Sequence, residues 1–314
     1  MSENMKYVQK LDAVRAEINK VIKGKSKVVT DVLAAIVAGG HVLMEDIPGV
    51  GKTTLATTMG KALSLSYKRV QFTPDVLPSD ILGFSMYNSN TGEFEYRQGS
   101  VFANLFLADE LNRTSPKTQS ALLEVMEEGN ATVDGVTRPL PKPFVVIATQ
   151  NPMGSSGTQM LPESQLDRFM ICVTMGYPSH EAAADILKEE TVRRTVEINA
   201  VMTAEELLEV RAAADKVFVH DSLYDYMVTL VEETRKHVMF ETGASPRASI
   251  ALLRISRALA VMDGRDFVTA MDVQKELVNV LSHRVKLSGR AKAEGFDAAK
   301  AVGELLHSVP APRM

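Results

Sequence analysis

The stretch DIPGVGKTT, residues 46–54, lies between a short apolar run, HVLME at 41–45, and a helical pattern over 52–64. The chain there reads as strand, glycine loop, helix. Gly49 and Gly51 let the backbone curl until its N–H groups point inward, and the start of the following helix adds partial positive charge, which together make a cradle for phosphate oxygens. Pro48, Gly49, Val50, Gly51, Lys52, Thr53 and Thr54 are the expected nucleotide-binding residues, with Lys52 reaching the β- and γ-phosphates and the Thr53 hydroxyl turned to Mg²⁺. Loops of this pattern usually carry glycine where this chain has Asp46. Its carboxylate must therefore point away from the phosphates, and its backbone must accept a non-glycine angle.

Working outward, apolar runs at 67–72, 105–108, 144–148 and 170–174 alternate with helical stretches. They predict strands of a parallel α/β sheet covered on both faces. LFLADE, residues 105–110, ends such a strand in two acids. Asp109 is placed beside a metal, and Glu110 can polarise a water for attack on a γ-phosphate. IATQNP, residues 147–152, ends another strand in Gln150 and Asn151, neutral amides able to hold that water or the phosphate. In GASPR, residues 243–247, Ser245 is a natural N-cap and Pro246 a preferred first helical residue. Arg247 then sits in a first turn, where the helix dipole disfavours a cation and an anionic partner is expected, either a phosphate or a nearby acid. Arg168, in LDRF, is open to pairing with Asp167 or Glu163, and Arg113 is as ambiguous.

Two segments interrupt the βα alternation: 84–98 and 131–138 carry β-prone residues around Asn-Thr-Gly and Asp-Gly turns, as hairpins do. After residue 180 the strand signals stop. A capping box at Thr203 with Glu206 and helical patterns near 221–237, 245–262 and 269–283 follow. The division expected is therefore an αβα nucleotide-binding part over 1–180 and an all-α lid over 181–314.

Composition narrows the function classes. With 35 Lys+Arg against 39 Asp+Glu in 314 residues, the net charge of −4 offers no overall attraction to nucleic acid or an anionic membrane. A single cysteine, Cys172, forms no internal disulfide, and six scattered histidines do not make a structural zinc site. The first twenty residues lack the apolar core of a signal peptide, and the longest apolar run is about half a membrane span. The cytoplasm is the expected compartment.

Taken in order, GGHVLMEDIPGVGKTTLA, FANLFLADELNRTSPKTQSALLEVMEE, ATQNP, LPESQLDRF and GASPRAS resemble the MoxR family of AAA+ ATPases. That resemblance implies an AAA+ P-loop NTPase core, ATP and Mg²⁺ as cofactors, and a homo-oligomeric ring, a hexamer. It implies Lys52 and Thr53 as the Walker A pair, Asp109 and Glu110 as Walker B, Asn151 as sensor 1, Arg247 as sensor 2 moving the lid, and Arg168 as an arginine finger acting on a neighbouring subunit. Val21, Ile22 and Gly24 resemble the segment that contacts adenine, and the two hairpins resemble the helix-2 insert and the pre-sensor-1 hairpin. Chaperone-like remodelling with a von Willebrand factor A domain protein is the activity implied. An ATP-gated assembly scaffold and a magnesium-chelatase-like motor subunit are the alternatives. A DNA-acting role is disfavoured by the charge and by the absence of a basic tail or helix-turn-helix pattern.

Overall fold

The structure, a computed structural model, describes residues 4–151, 160–191 and 196–312. Helices α1 (Met5–Val21) and α2 (Ser26–Val37) precede strand β1 (Val42–Glu45), which leads through the glycine loop into α3 (Lys52–Ala62). Then come β2 (Tyr67–Gln71), α4 (Pro78–Leu82), the hairpin β3 (Gly83–Asn88) and β4 (Glu93–Gln98), β5 (Leu105–Asp109), α5 (Pro116–Glu128), and the hairpin β6 (Asn130–Val133) and β7 (Val136–Pro139). The core closes with β8 (Val145–Gln150), α6 (Glu163–Leu166) and β9 (Ile171–Val173). Helices α7 (His180–Thr191), α8 (Ala204–Asp215), α9 (Asp221–Lys236), α10 (Pro246–Met262), α11 (Ala270–Leu281), α12 (Gly289–Ala293) and α13 (Ala298–Ser308) complete the chain, with β10 (Phe240–Thr242) and β11 (Lys286–Leu287) among them.

Five strands form one sheet in the order β2-β5-β8-β1-β9, every neighbouring pair parallel. All glycine-loop and acid-bearing chain ends therefore emerge on the same edge, the C-terminal ends of the strands, where open α/β sheets bind ligands. Strands β5 and β8 are buried along their whole length, as their apolar runs predict. One edge strand, β2, departs from that expectation: Lys68, Arg69 and Gln71 are exposed, whereas the opposite edge strand, β9, is buried. Both predicted hairpins are present, and they touch where the Arg138 guanidinium lies 3.6 Å from the centre of the Tyr96 ring.

The C-terminal part is not wholly helical. β10 and β11 pair antiparallel, Phe240 opposite Leu287. Strands of three and two residues are too short to show a period-2 pattern, and their pairing is non-local, so the all-α expectation is corrected here. The capping box at Thr203 forms as expected, Glu206 N–H donating to Thr203 Oγ1 at 3.3 Å and Thr203 N–H to Glu206 Oε2 at 3.0 Å. One apolar cluster runs from Leu11, Val14 and Ile18 of α1 through Val32 and Ile36 of α2 to Leu252, Ile255 and Leu259 of α10, so the first two helices tie the sheet to the C-terminal helices. Burial of this kind is the main favourable term in folding, at roughly 25 cal/mol per Å² of apolar surface. Among the described residues no helix is long and apolar enough to cross a membrane.

Candidate functional site

The glycine loop takes the predicted form. Gly49 and Gly51 have φ of 85° and 96°, the left-handed region that an L side chain disfavours, and Gly51 is the N-cap of α3. Asp46 lies outside that region, and its buried carboxylate turns away from the loop interior as expected. Its Oδ1 accepts from Ile47 N–H at 2.9 Å and its Oδ2 from Gly176 N–H at 2.6 Å. An acid thus does here, by tying the loop to the chain leaving β9, what no glycine could. Lys52 Nζ donates to the Asp46 and Ile47 carbonyls at 2.7 and 3.1 Å. Burial lowers the pKa of this ammonium, while the carboxylates of Asp46, Asp109 and Glu110 pull it back up.

Pro48, Gly49, Gly51, Lys52, Thr53 and Thr54 line one cleft together with Asp109, Glu110, Gln150 and Asn151. Thr53 Oγ1 faces Asp109 Oδ2 at 3.4 Å. A residue not singled out in the sequence organises both acids: the Thr149 hydroxyl donates to Asp109 Oδ1 at 2.7 Å and accepts from Glu110 N–H at 2.8 Å. Glu110 itself has φ 55° and ψ 48°, a left-handed turn that lifts its side chain off the strand end, and Arg113 pairs with it at 2.7 Å. Backbone strain of this sort in a non-glycine residue clusters at functional sites. A second unforeseen residue is Arg69, from β2, which pairs with Asp109 at 2.7 Å. The sequence carries a faint signal: Lys68, Arg69 and Gln71 interrupt the run at 67–72, with Arg69 and Gln71 on one face of the strand.

At the end of β8, Gln150 is buried on the cleft wall and its amide donates to Glu45 of β1. Asn151 stays on the cleft wall, its carbonyl accepting from Asn112 Nδ2 at 3.3 Å; Pro152 lies outside the described residues. Val50 packs against the apolar cluster and does not line the cleft. Val21 and Ile22 also belong to that cluster, and Gly24 makes the turn after α1 with φ 68°. None of the three lines the cleft; the turn packs on the chain after β9, where a Cβ on Gly24 would come within 3.1 Å of Ala182 Cβ.

Arg168 and Arg247 are elsewhere. They line a second cleft with Gly39, Gly40, His41, Glu127, Asp167 and Arg284. Gly39 to His41 precede β1, whereas the glycine loop follows it, so the two clefts lie at opposite ends of the sheet. Four strand residues set them about 13 Å apart at roughly 3.3 Å each, and the loops at either end add more. Arg168 pairs with Glu127 at 3.0 Å and donates to the Leu123 carbonyl at 2.7 Å, not to Asp167 or Glu163. Ser245 caps α10 and Arg247 falls in the first turn, as predicted; its anion is Glu127. Asp167 is instead held by the buried Arg284 at 2.8 Å and by the Ser245 hydroxyl at 2.7 Å. His41 is half-buried on the cleft wall and neutral: desolvation pushes its pKa down to about 4, its Nδ1 accepts from Val146 N–H, and its Nε2–H meets the Met126 carbonyl at 3.0 Å.

Comparison with known proteins agrees with this architecture. Residues 41–171 match the ATPase family associated with various cellular activities (AAA), and residues 232–305 match an AAA lid domain. The protein YeaC of Bacillus subtilis is 46% identical over 296 residues, spanning 94% of this chain and 92% of its own. The chaperone MoxR1 of Mycobacterium tuberculosis is 37% identical over 316 residues, spanning 98% of this chain and 84% of its own. A crystal structure from Cytophaga hutchinsonii superposes with a TM-score of 0.91 at 36% identity, covering 99% of this chain and 97% of that one.

Proposed function

The chain belongs to the MoxR-type AAA+ ATPases, and from that premise we propose that it hydrolyses ATP with Mg²⁺ at the contacts between copies in a ring, using the turnover to remodel or mature partner proteins. Lys52 and the loop N–H groups hold the β- and γ-phosphates. Thr53 and Asp109 supply hard oxygen donors from one carboxylate and one hydroxyl, and the described residues contain no group of three or more His, Cys, Asp or Glu that could cage a metal unaided. This donor set fits Mg²⁺, which keeps waters and phosphate oxygens in its shell and, when bound, neutralises charge on the β- and γ-oxygens. Glu110 orients and deprotonates the attacking water once Arg113 is drawn aside, and Asn151 holds that water from the end of β8.

The observation that carries the reading is the placement of the phosphate cradle and of Arg168 with Arg247 at opposite ends of one sheet. Neither arginine reaches its own chain's cradle. Copies arranged head to tail bring the arginine end of one over the loop end of the next, and such a contact closes into a ring when the rotation permits. An arginine supplied in trans is worth about 10³ to 10⁵ in rate in GTPase systems. A ring of six, a von Willebrand factor A domain protein with its client as partners, and a cytoplasmic setting complete the proposal. The two hairpins, with Tyr87 and Phe94 of the first and Val136 of the second exposed, carry the client contact.

Mixing two variants tests it. Glu110→Gln should bind nucleotide without hydrolysing it, and Arg168→Ala should keep an intact cradle but lose turnover. Mixed rings should recover activity, because a Glu110→Gln copy lends its arginine to the Arg168→Ala site beside it. Full turnover by Arg168→Ala alone, or no recovery from mixtures that do assemble, would refute the trans site.

A further inference from the structure

Arg69 lines the nucleotide cleft yet has no part in the reaction above. It lies on the edge strand β2, beside β5, whose last residue is Asp109. Its Nε and Nη2 both donate to Asp109 Oδ2, at 3.1 and 2.7 Å, and Nη2 also donates to Gln71 Oε1 at 3.0 Å. The other carboxylate oxygen, Oδ1, accepts from Thr149. Oδ2 is thus the oxygen left for a cation, and it is the one facing Thr53 Oγ1. A guanidinium and a divalent ion on one oxygen repel each other across a few ångströms, so only one can hold it.

We infer that Arg69 is a built-in counter-ion that competes with the divalent metal for Asp109 Oδ2 and so sets the metal concentration at which the cleft takes up nucleotide. Asp109 has only 10% of its side chain exposed, and an uncompensated carboxylate there is costly, which gives a tethered cation something to do whenever no metal neutralises the acid. Arg69 has 45% of its side chain exposed, leaving it free to swing outward, and Gln71 on the same strand face offers it a second partner. The inference rests on the cleft being a metal–nucleotide site.

The test is calorimetric binding of a non-hydrolysable ATP analogue as Mg²⁺ is raised from zero. In Arg69→Met the half-saturating Mg²⁺ concentration should fall about two- to fivefold, the scale expected for removing a half-exposed ion pair, with Arg69→Lys in between. At saturating Mg²⁺, where the metal has displaced the guanidinium, the analogue should bind both chains equally. An unchanged Mg²⁺ requirement overturns the competition, as does weaker binding of the analogue by Arg69→Met at saturating Mg²⁺, which would make Arg69 a phosphate ligand. Failure of the wild-type chain to bind the analogue at any Mg²⁺ concentration would bring down the reading of the cleft as well. Arg69→Lys carries the same comparison should Arg69→Met fold poorly.

Discussion

Arg168 and Arg247 are held to one carboxylate: Glu127 on α5 pairs with Arg168 at 3.0 Å and with Arg247. Two guanidinium groups, one from the turn between α6 and β9 and the other from α10, are thereby brought side by side, although like charges repel. If they serve a neighbour's phosphate, they must exchange Glu127 for it.

That exchange predicts the behaviour of Glu127→Gln. The acid has 45% of its side chain exposed, so each pair is worth only about 0.2–1 kcal/mol, and its loss should leave the fold intact. The freed arginines should favour a neighbouring nucleotide, lowering by about two- to fivefold the protein concentration at which the ATP-bound chain assembles. Sedimentation with and without nucleotide reads this directly. Assembly that is unchanged, or that weakens, would mean that Glu127 does not restrain the pair.

Thr149 gives the second prediction. Its hydroxyl fixes Asp109 Oδ1 and the Glu110 N–H at once, and it is buried. Thr149→Val keeps the shape but leaves both groups without their partner, at a cost of about 1–3 kcal/mol in stability. Small displacements of reacting groups are expensive in rate, so kcat should fall tenfold or more while KM for ATP changes little. Thr149→Ser should restore both. Equal kcat in the Val and Ser variants would show that the acids position themselves.

How far such features were legible depends on how local they are. Gly49, Gly51, Lys52 and Thr53 stand within nine consecutive residues, and the turn, cradle and helix start they form are dictated by near neighbours. Ser245, Pro246 and Arg247 are equally local, and the cap forms as read. The pairing of Arg69 with Asp109 depends on β2 lying beside β5, and that of Arg247 with Glu127 on α10 meeting α5. Neither follows from spacing along the chain. Cross-strand and interhelical partners depend on tertiary packing, which periodicity does not report. The β10–β11 ribbon escaped for the same reason.

Arg284 supplies a third prediction. Its side chain is 3% exposed; it pairs with Asp167 at 2.8 Å and donates to the Met170 and Asp167 carbonyls at 3.1 and 3.2 Å. Removing one partner of a buried pair leaves the other charge uncompensated, at about 3–5 kcal/mol. Arg284→Met should therefore lower the unfolding free energy by about that amount in urea. Adding Asp167→Asn should recover part of it, since the orphaned charge is gone. Strictly additive losses would show that the two residues act independently.

Glu276 on α11 and Asp31 on α2 make the stability of the chain depend on pH. Both are nearly fully buried, and the Asn279 amide donates to each, at 2.9 and 3.0 Å, while Lys27 pairs with Asp31 at 2.7 Å. Burial first, then the Asp31 charge, push the Glu276 carboxyl from 4.5 up to about 7, against the opposing pull of Asn279 and Lys27. Between those values the folded chain holds a proton that the unfolded chain has lost. The stabilisation this gives is complete below about 4.5 and disappears as pH rises through about 7. Glu276→Gln keeps the shape and removes the titration. The variant should match the wild type near pH 5 and exceed it near pH 8, by on the order of 2–3 kcal/mol. Parallel unfolding curves across that range would mean that Glu276 stays ionised in the folded chain, with Lys27 and Asn279 outweighing the burial.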